Sequence, residues 1–87
     1  MTQVTLFTKP GCHLCEEVEA VIARVKKHRE FGLIIRNIVE NAEDFDRYQY
    51  LIPVVLVDGR EIAQYELSEK QLEDALTAAL HPKKPHV

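Results

Sequence analysis

The apolar positions change period along this chain. Across residues 2–7 they alternate, with Val4 and Leu6 on one side and Thr5 and Phe7 on the other. That pattern, rich in β-branched and aromatic residues, predicts a short strand. Thr8-Lys9-Pro10-Gly11 breaks it with strong turn chemistry. From Cys12 the repeat lengthens: Leu14, Val18, Val21, Ile22 and Val25 recur as the stripe of an amphipathic helix. Glu16, Glu17 and Glu19 lie in its early turns, and Lys26, Lys27, His28 and Arg29 crowd its end, a polarity that suits the helix dipole. Both cysteines therefore stand at the start of a helix. Gly32 then leads into residues 33–39, a nearly continuous apolar run read as a second strand. Strand, helix and strand in succession favour parallel pairing with a right-handed crossover.

Residues 41–50 read as a short helix capped by Asn41, with Glu43 and Asp44 in its first turn and Phe45 and Tyr48 facing inward. Ile52-Pro53 stops it. Residues 54–57 form a third strand, Asp58-Gly59 a two-residue hairpin turn, and residues 60–65 a fourth strand antiparallel to the third. Ser68-x-x-Gln71 fits a capping box, opening a last helix whose buried stripe is Leu72, Ala75, Leu76, Ala79 and Leu80. The order β-α-β-α-β-β-α predicts an α/β fold: a four-stranded mixed sheet with three helices on its two faces. Residues 1–80 make one domain, and residues 81–87, with two prolines, are expected to be a flexible tail.

Length and composition narrow the function. A chain of 87 residues holds one small core, and 46% apolar residues exclude a disordered segment. Eleven Lys and Arg against fourteen Asp and Glu give a net charge of −3, which argues against nucleic-acid backbone binding. No apolar run approaches the roughly 18 residues that span a bilayer. The expectation is a cytoplasmic monomer without signal peptide, membrane or nucleic-acid partner. The two cysteines are too few to staple a secreted scaffold, and their C-x-x-C spacing points to metal or redox chemistry.

Cys12-His13-Leu14-Cys15 is where chemistry is expected. The reactive form of cysteine is the thiolate, and unpaired amides at a helix N-terminus favour it, so Cys12 should ionise more readily than a free thiol. Residues i and i+3 are neighbours on a helix, so Cys15 can reach the sulfur of Cys12. Cys12 would attack a substrate disulfide, and the more shielded Cys15 would resolve the mixed disulfide. A protonated His13 beside Cys12 would stabilise the thiolate; otherwise His13 is a polar residue of an exposed first turn. Leu14 is read as the first member of the helix's apolar stripe. Two other readings stay open for the cysteines. One is half of a zinc site completed by His81 and His86, although those lie 65 residues or more beyond Cys15. The other is a pair of inert buried thiols. Pro53 opens the third strand, and the Ile52-Pro53 bond is a candidate cis peptide beside the thiols. Tyr48 and Tyr50 either line a substrate groove or pack in the core.

Together, T-L-F-T-K-P-G-C-H-L-C and, about forty residues on, I-P-V-V-L-V-D-G resemble the small glutaredoxin-like proteins of the thioredoxin superfamily. The resemblance runs from about Val4 to Leu80. It implies a thioredoxin-like fold and a thiol–disulfide oxidoreductase acting on a disulfide-containing protein or a small thiol, with no bound cofactor or metal. It implies that Cys12 is the nucleophile, Cys15 the resolving thiol, and Pro53 cis. Lys9 matches the family lysine that attracts a carboxylate of glutathione, and Ile52 the residue whose backbone pairs with substrate. The chain departs from the family in three places. His13 and Leu14 replace the Pro-Tyr usual between the cysteines of glutaredoxins, and the tryptophan that precedes the first cysteine of thioredoxins is absent. Ala63-Gln64-Tyr65-Glu66 replaces the Gly-Gly and acidic residues that hold the γ-glutamyl end of glutathione; Glu66 alone keeps one acidic contact. The missing glycines weigh against glutathione as reductant and leave a thioredoxin-reductase-type protein as the other candidate. The rival expectation is a glutaredoxin-like module that binds a metal ion or a protein partner and has no catalysis.

Overall fold

The computed structural model describes residues 2–80. Strand β1 (Gln3–Thr8) lies inside a four-stranded sheet of order β2-β1-β3-β4. Strand β2 (Gly32–Asn37) runs parallel to it, and β3 (Val54–Val57) antiparallel; β4 (Arg60–Gln64) returns antiparallel to β3. Helices α1 (His13–Lys26), α2 (Ala42–Tyr48) and α3 (Glu69–Leu80) complete the expected order. The structure is thus the mixed α/β sheet with three helices that the periodicities predict.

Alternation along the strands divides the core. Val4, Leu6, Val55 and Val57 turn to one face, where they meet Val18, Ile22 and Val25 of α1 and Leu72 and Leu76 of α3. Phe7 and Val54 belong to a second cluster with Ile38, Tyr48, Ile52 and Cys15. There Phe7 and Tyr48 stack with ring centroids 4.3 Å apart. Polar contacts tie α1 to α3: Arg24 pairs with Glu69 at 2.8 Å, and the Arg29 guanidinium donates to Thr77 Oγ1 at 3.1 Å. His28 lies 3.6 Å from Glu73, and Lys26 Nζ donates to the Phe31 carbonyl at 2.7 Å. Most of the basic run at residues 26–29 therefore fastens the end of α1.

The caps and the hairpin follow the sequence. Asn41 Oδ1 accepts the Asp44 amide at 3.0 Å, and Ser68 Oγ accepts that of Gln71 at 3.0 Å. Asp58 (φ 49) and Gly59 (φ 82) both take the left-handed conformation that a tight hairpin needs. The Asp58 carboxylate accepts the Gln3 amide at 2.8 Å.

Three details differ from expectation. The second strand stops at Asn37, and Ile38–Glu40 form a 3₁₀ turn because Asn37 Oδ1 accepts the Val39 amide at 2.9 Å. That strand is at the sheet edge, so Ile34, Ile35 and Val39 stay exposed despite the apolar run. Leu14, Phe45 and Leu80, expected in buried stripes, are also exposed; Leu14 and Leu80 lie at the ends of their helices, and Phe45 lies in the middle of the two-turn α2, whose one buried residue is Tyr48. The fourth strand bulges at Ile62 and ends at Gln64, and Tyr65 leaves it at φ 70. The expected tail, residues 81–87, lies outside the described residues. No described helix is long and apolar enough to cross a membrane.

Candidate active site

Strand β1 delivers the chain to Lys9-Pro10-Gly11, a turn closed by the Cys12 amide donating to the Lys9 carbonyl at 3.3 Å. Gly11 takes φ 76, a conformation open to glycine at no steric cost. Cys12 follows as the N-cap of α1 with extended backbone (φ −89, ψ 105). Its carbonyl accepts the first helical amide, from Glu16, at 3.2 Å. Its sulfur accepts the Cys15 amide at 3.1 Å, the role that a Ser or Asn oxygen plays at ordinary caps. Cys15 stands one turn into the helix, 3% exposed, whereas Cys12 is half-buried. The two sulfurs are joined in a disulfide across a Cα–Cα distance of 5.2 Å.

The pair sits over the second core cluster. Cys15 packs among its members, which include Phe7, Tyr48 and Ile52, and Cys12 packs against its edge. The Ile52-Pro53 peptide is cis, and Pro53 is fully buried. Ile52 thus lies in the same cluster as both cysteines. Its N–H, however, is donated to the Tyr48 carbonyl at 3.1 Å. The Pro53 carbonyl in turn accepts the Tyr65 amide at 2.8 Å.

Lys9 is exposed and borders a cleft of about 300 Å³ shared with Thr8, Cys12, Cys15, Glu16 and Glu19. His13 is directed along the helix surface: its Nε2 is 3.5 Å from Glu17 Oε2, and its side chain is 85% exposed. Tyr48 is core, while Tyr50 is 81% exposed. Among the described residues no group of three or more His, Cys, Asp and Glu side chains is placed to hold a metal ion. His81 and His86 lie outside the described residues.

Two residues near the disulfide escape a reading by period alone. Leu14, between the cysteines, is 46% exposed and opens a second recess between α1 and the segment following β4. Tyr65 walls that recess, and its hydroxyl donates to the Tyr50 carbonyl at 2.9 Å. An apolar side chain inside a two-residue gap between reactive cysteines was the signal available for the first. Nothing in the local sequence marks a left-handed tyrosine.

A mixed β2-β1-β3-β4 sheet with a cysteine pair at the start of its first helix and a cis-proline before its third strand defines a thioredoxin-like dithiol domain. Comparison with known proteins carries this further. Residues 3–77 match the family model described as Glutaredoxin-like domain (DUF836). The chain belongs to this glutaredoxin-like family. Among solved structures it is similar to a Nitrosomonas europaea protein determined by solution NMR, with 26% identity and a TM-score of 0.73 over 85% of this chain and 89% of that one. A protein of X. campestris matches with 25% identity and a TM-score of 0.68, over 86% of this chain and 96% of the other. A mutant thioredoxin from Halobacterium salinarum shares the fold at 18% identity and a TM-score of 0.67, over 97% of this chain and 78% of that chain.

Proposed function

We propose that the protein is a thiol–disulfide oxidoreductase that cycles Cys12 and Cys15 between dithiol and disulfide. The observation that carries this reading is the asymmetry of the pair: Cys12 at the helix cap and partly open, Cys15 one turn inside and covered. The Cys15 amide donates to the Cys12 sulfur, which caps the N-terminus of α1; in the reduced protein that donor and the helix end favour the Cys12 thiolate. The thiolate attacks one sulfur of a substrate disulfide, forming a mixed disulfide and expelling the other sulfur as a thiolate that takes a proton from water. The Cys15 thiolate then attacks Cys12 Sγ, closing the intramolecular disulfide and releasing the second substrate thiolate. The substrate gains two electrons and the protein loses them. A second dithiol, from a protein reductant, or two molecules of glutathione return the protein to its reduced form.

Ile52 packs in one cluster with the cysteines and precedes the cis Pro53, and with the Ile52 amide engaged by Tyr48, its carbonyl is the backbone group left for a substrate N–H. Lys9 supplies the cation of the cleft that holds Cys12 and Cys15. His13 Nε2 lies 3.5 Å from Glu17 Oε2 on the exposed helix surface, which supports the reading of an exposed first-turn residue over thiolate tuning. The chemistry uses sulfur alone and calls for no resident cofactor; a compartment that keeps thiols reduced, such as the cytoplasm, suits it.

The test is reduction of hydroxyethyl disulfide by the dithiothreitol-reduced protein. Cys12→Ser abolishes turnover, whereas Cys15→Ser still forms a mixed disulfide detectable by mass spectrometry. Turnover that survives in Cys12→Ser, or a wild-type protein that is inert, defeats the reading and favours a binding module. His13→Ala leaves the Cys12 titration, followed by thiolate absorbance, where it was; a displaced titration would restore His13 as a tuning residue.

A further inference from the structure

The recess beginning at Leu14 has no part in the exchange steps above. It measures about 310 Å³ and lies between α1 and the segment joining β4 to α3. Its apolar lining comes from Leu14, Val18 and Val21 on one side and Tyr65 and Leu67 on the other. Ligand pockets run from about 300 to 1,000 Å³, so this one is sized for a single large side chain. Neither cysteine lines it, but its first wall, Leu14, immediately precedes Cys15 in the chain, so the recess opens one residue from the pair. Tyr65 holds its wall in an unusual way. A bulky residue at φ 70 is disfavoured, and such outliers persist where the surroundings over-determine them. Here the Tyr65 amide is bound by the Pro53 carbonyl and its hydroxyl by the Tyr50 carbonyl. The ring is therefore pinned at both ends beside the cis-proline.

The charges around the disulfide have one dominant sign. Glu17 and Glu66 stand at the recess, and Glu16 and Glu19 at the cleft that holds Cys12 and Cys15. Against these four carboxylates stand Lys9 and Arg24, and Arg24 is paired with Glu69 at 2.8 Å. A small anionic disulfide such as oxidised glutathione meets a repulsive rim; a basic polypeptide meets an attractive one.

We infer that the recess is the specificity subsite of the exchange reaction, and that its occupant is an apolar side chain next to the cysteine of a polypeptide disulfide with basic flanking residues. This rests on the oxidoreductase reading. The apolar side chain loses water against Leu14, Val21 and Leu67, while its basic neighbours face Glu17 and Glu66. Leu14, which lines the subsite, immediately precedes Cys15 in the chain, so a polypeptide seated there carries its disulfide to the cysteine pair.

Two measurements test it. In the first, oxidised ¹⁵N-labelled protein is titrated with an unreactive peptide, Lys-Leu-Ser-Lys, in which serine replaces cysteine. The expected amide shifts fall on Leu14, Val18, Val21, Tyr65 and Leu67. Shifts elsewhere, or recess shifts that depend on protein concentration alone, overturn the assignment, the latter in favour of a second copy of the chain. In the second, the reduced protein is mixed with the disulfide dimer of Lys-Leu-Cys-Lys, with oxidised glutathione and with hydroxyethyl disulfide. The peptide reacts faster than glutathione, and Val21→Gln and Glu66→Lys each lower the peptide-to-hydroxyethyl-disulfide rate ratio at least about fivefold. Unchanged ratios in both variants overturn the subsite. If none of the three disulfides reacts, the oxidoreductase reading fails, while the peptide titration reports separately on the recess.

Discussion

Tyr65 concentrates what a single residue contributes here. Its hydroxyl bond to the Tyr50 carbonyl joins the segment after β4 to the turn before the cis-proline. Tyr65→Phe removes that bond alone and should lower stability by about 0.5–1.5 kcal/mol, read from the midpoint of urea unfolding. Gly59 gives a cleaner case of backbone cost. A Cβ added there would touch nothing within 4 Å, yet the residue sits at φ 82. Gly59→Ala is therefore expected to destabilise by roughly 1–2 kcal/mol through conformation alone, with Gly59→Asn costing less. The Asp58-Gly59 turn was legible from its residue types. Tyr65 was not, because its conformation is imposed by two carbonyls supplied by residues 50 and 53, distant enough in sequence to leave no local trace.

At the scale of elements, the cap residues did most to make the helices readable. Ser68 and Gln71 satisfy each other's amides, at 3.0 and 3.4 Å, and so start α3. Ser68→Ala should cost about 1 kcal/mol in the same unfolding assay, and Asn41→Ala a similar amount at α2. The sequence also carried the cysteine pair to the start of α1 and Ile52-Pro53 to the end of α2, which is most of the candidate site. Where the reading strayed, the deciding quantity was neighbours rather than propensity. Residues 33–39 have strand composition throughout, but an asparagine at 37 can bond its own chain two residues on, and β2 ends there. Ile34 and Ile35 look like core residues until the sheet order places them on an edge. Leu14 and Phe45 fit helical stripes, yet of those stripes Val18 and Tyr48 are buried and these two are not, and α1 buries Cys15 at its start.

For the whole molecule, stability and chemistry rest on different clusters. Ile22 is fully buried between sheet and helices in the larger one, away from the cysteines. Ile22→Ala should lose roughly 2–5 kcal/mol of folding free energy. At a temperature where the variant remains folded, its rate with hydroxyethyl disulfide should stay close to that of the wild type; a large rate loss in the folded variant would mean that the first cluster also shapes the site. The division has a further meaning for α1, which carries Cys12, Cys15 and Leu14 at one end and is fastened to α3 at the other by Arg24 and Arg29. The groups that react and one wall of the recess proposed to choose a partner ride on successive turns of one rod, while Tyr65, Glu66 and Leu67 form the facing wall on a separate segment. A tilt of that rod moves the cysteines together with Leu14, Val18 and Val21 but opens or narrows the recess against the fixed wall, so partner choice can be retuned from the far side without touching the element that carries the thiols.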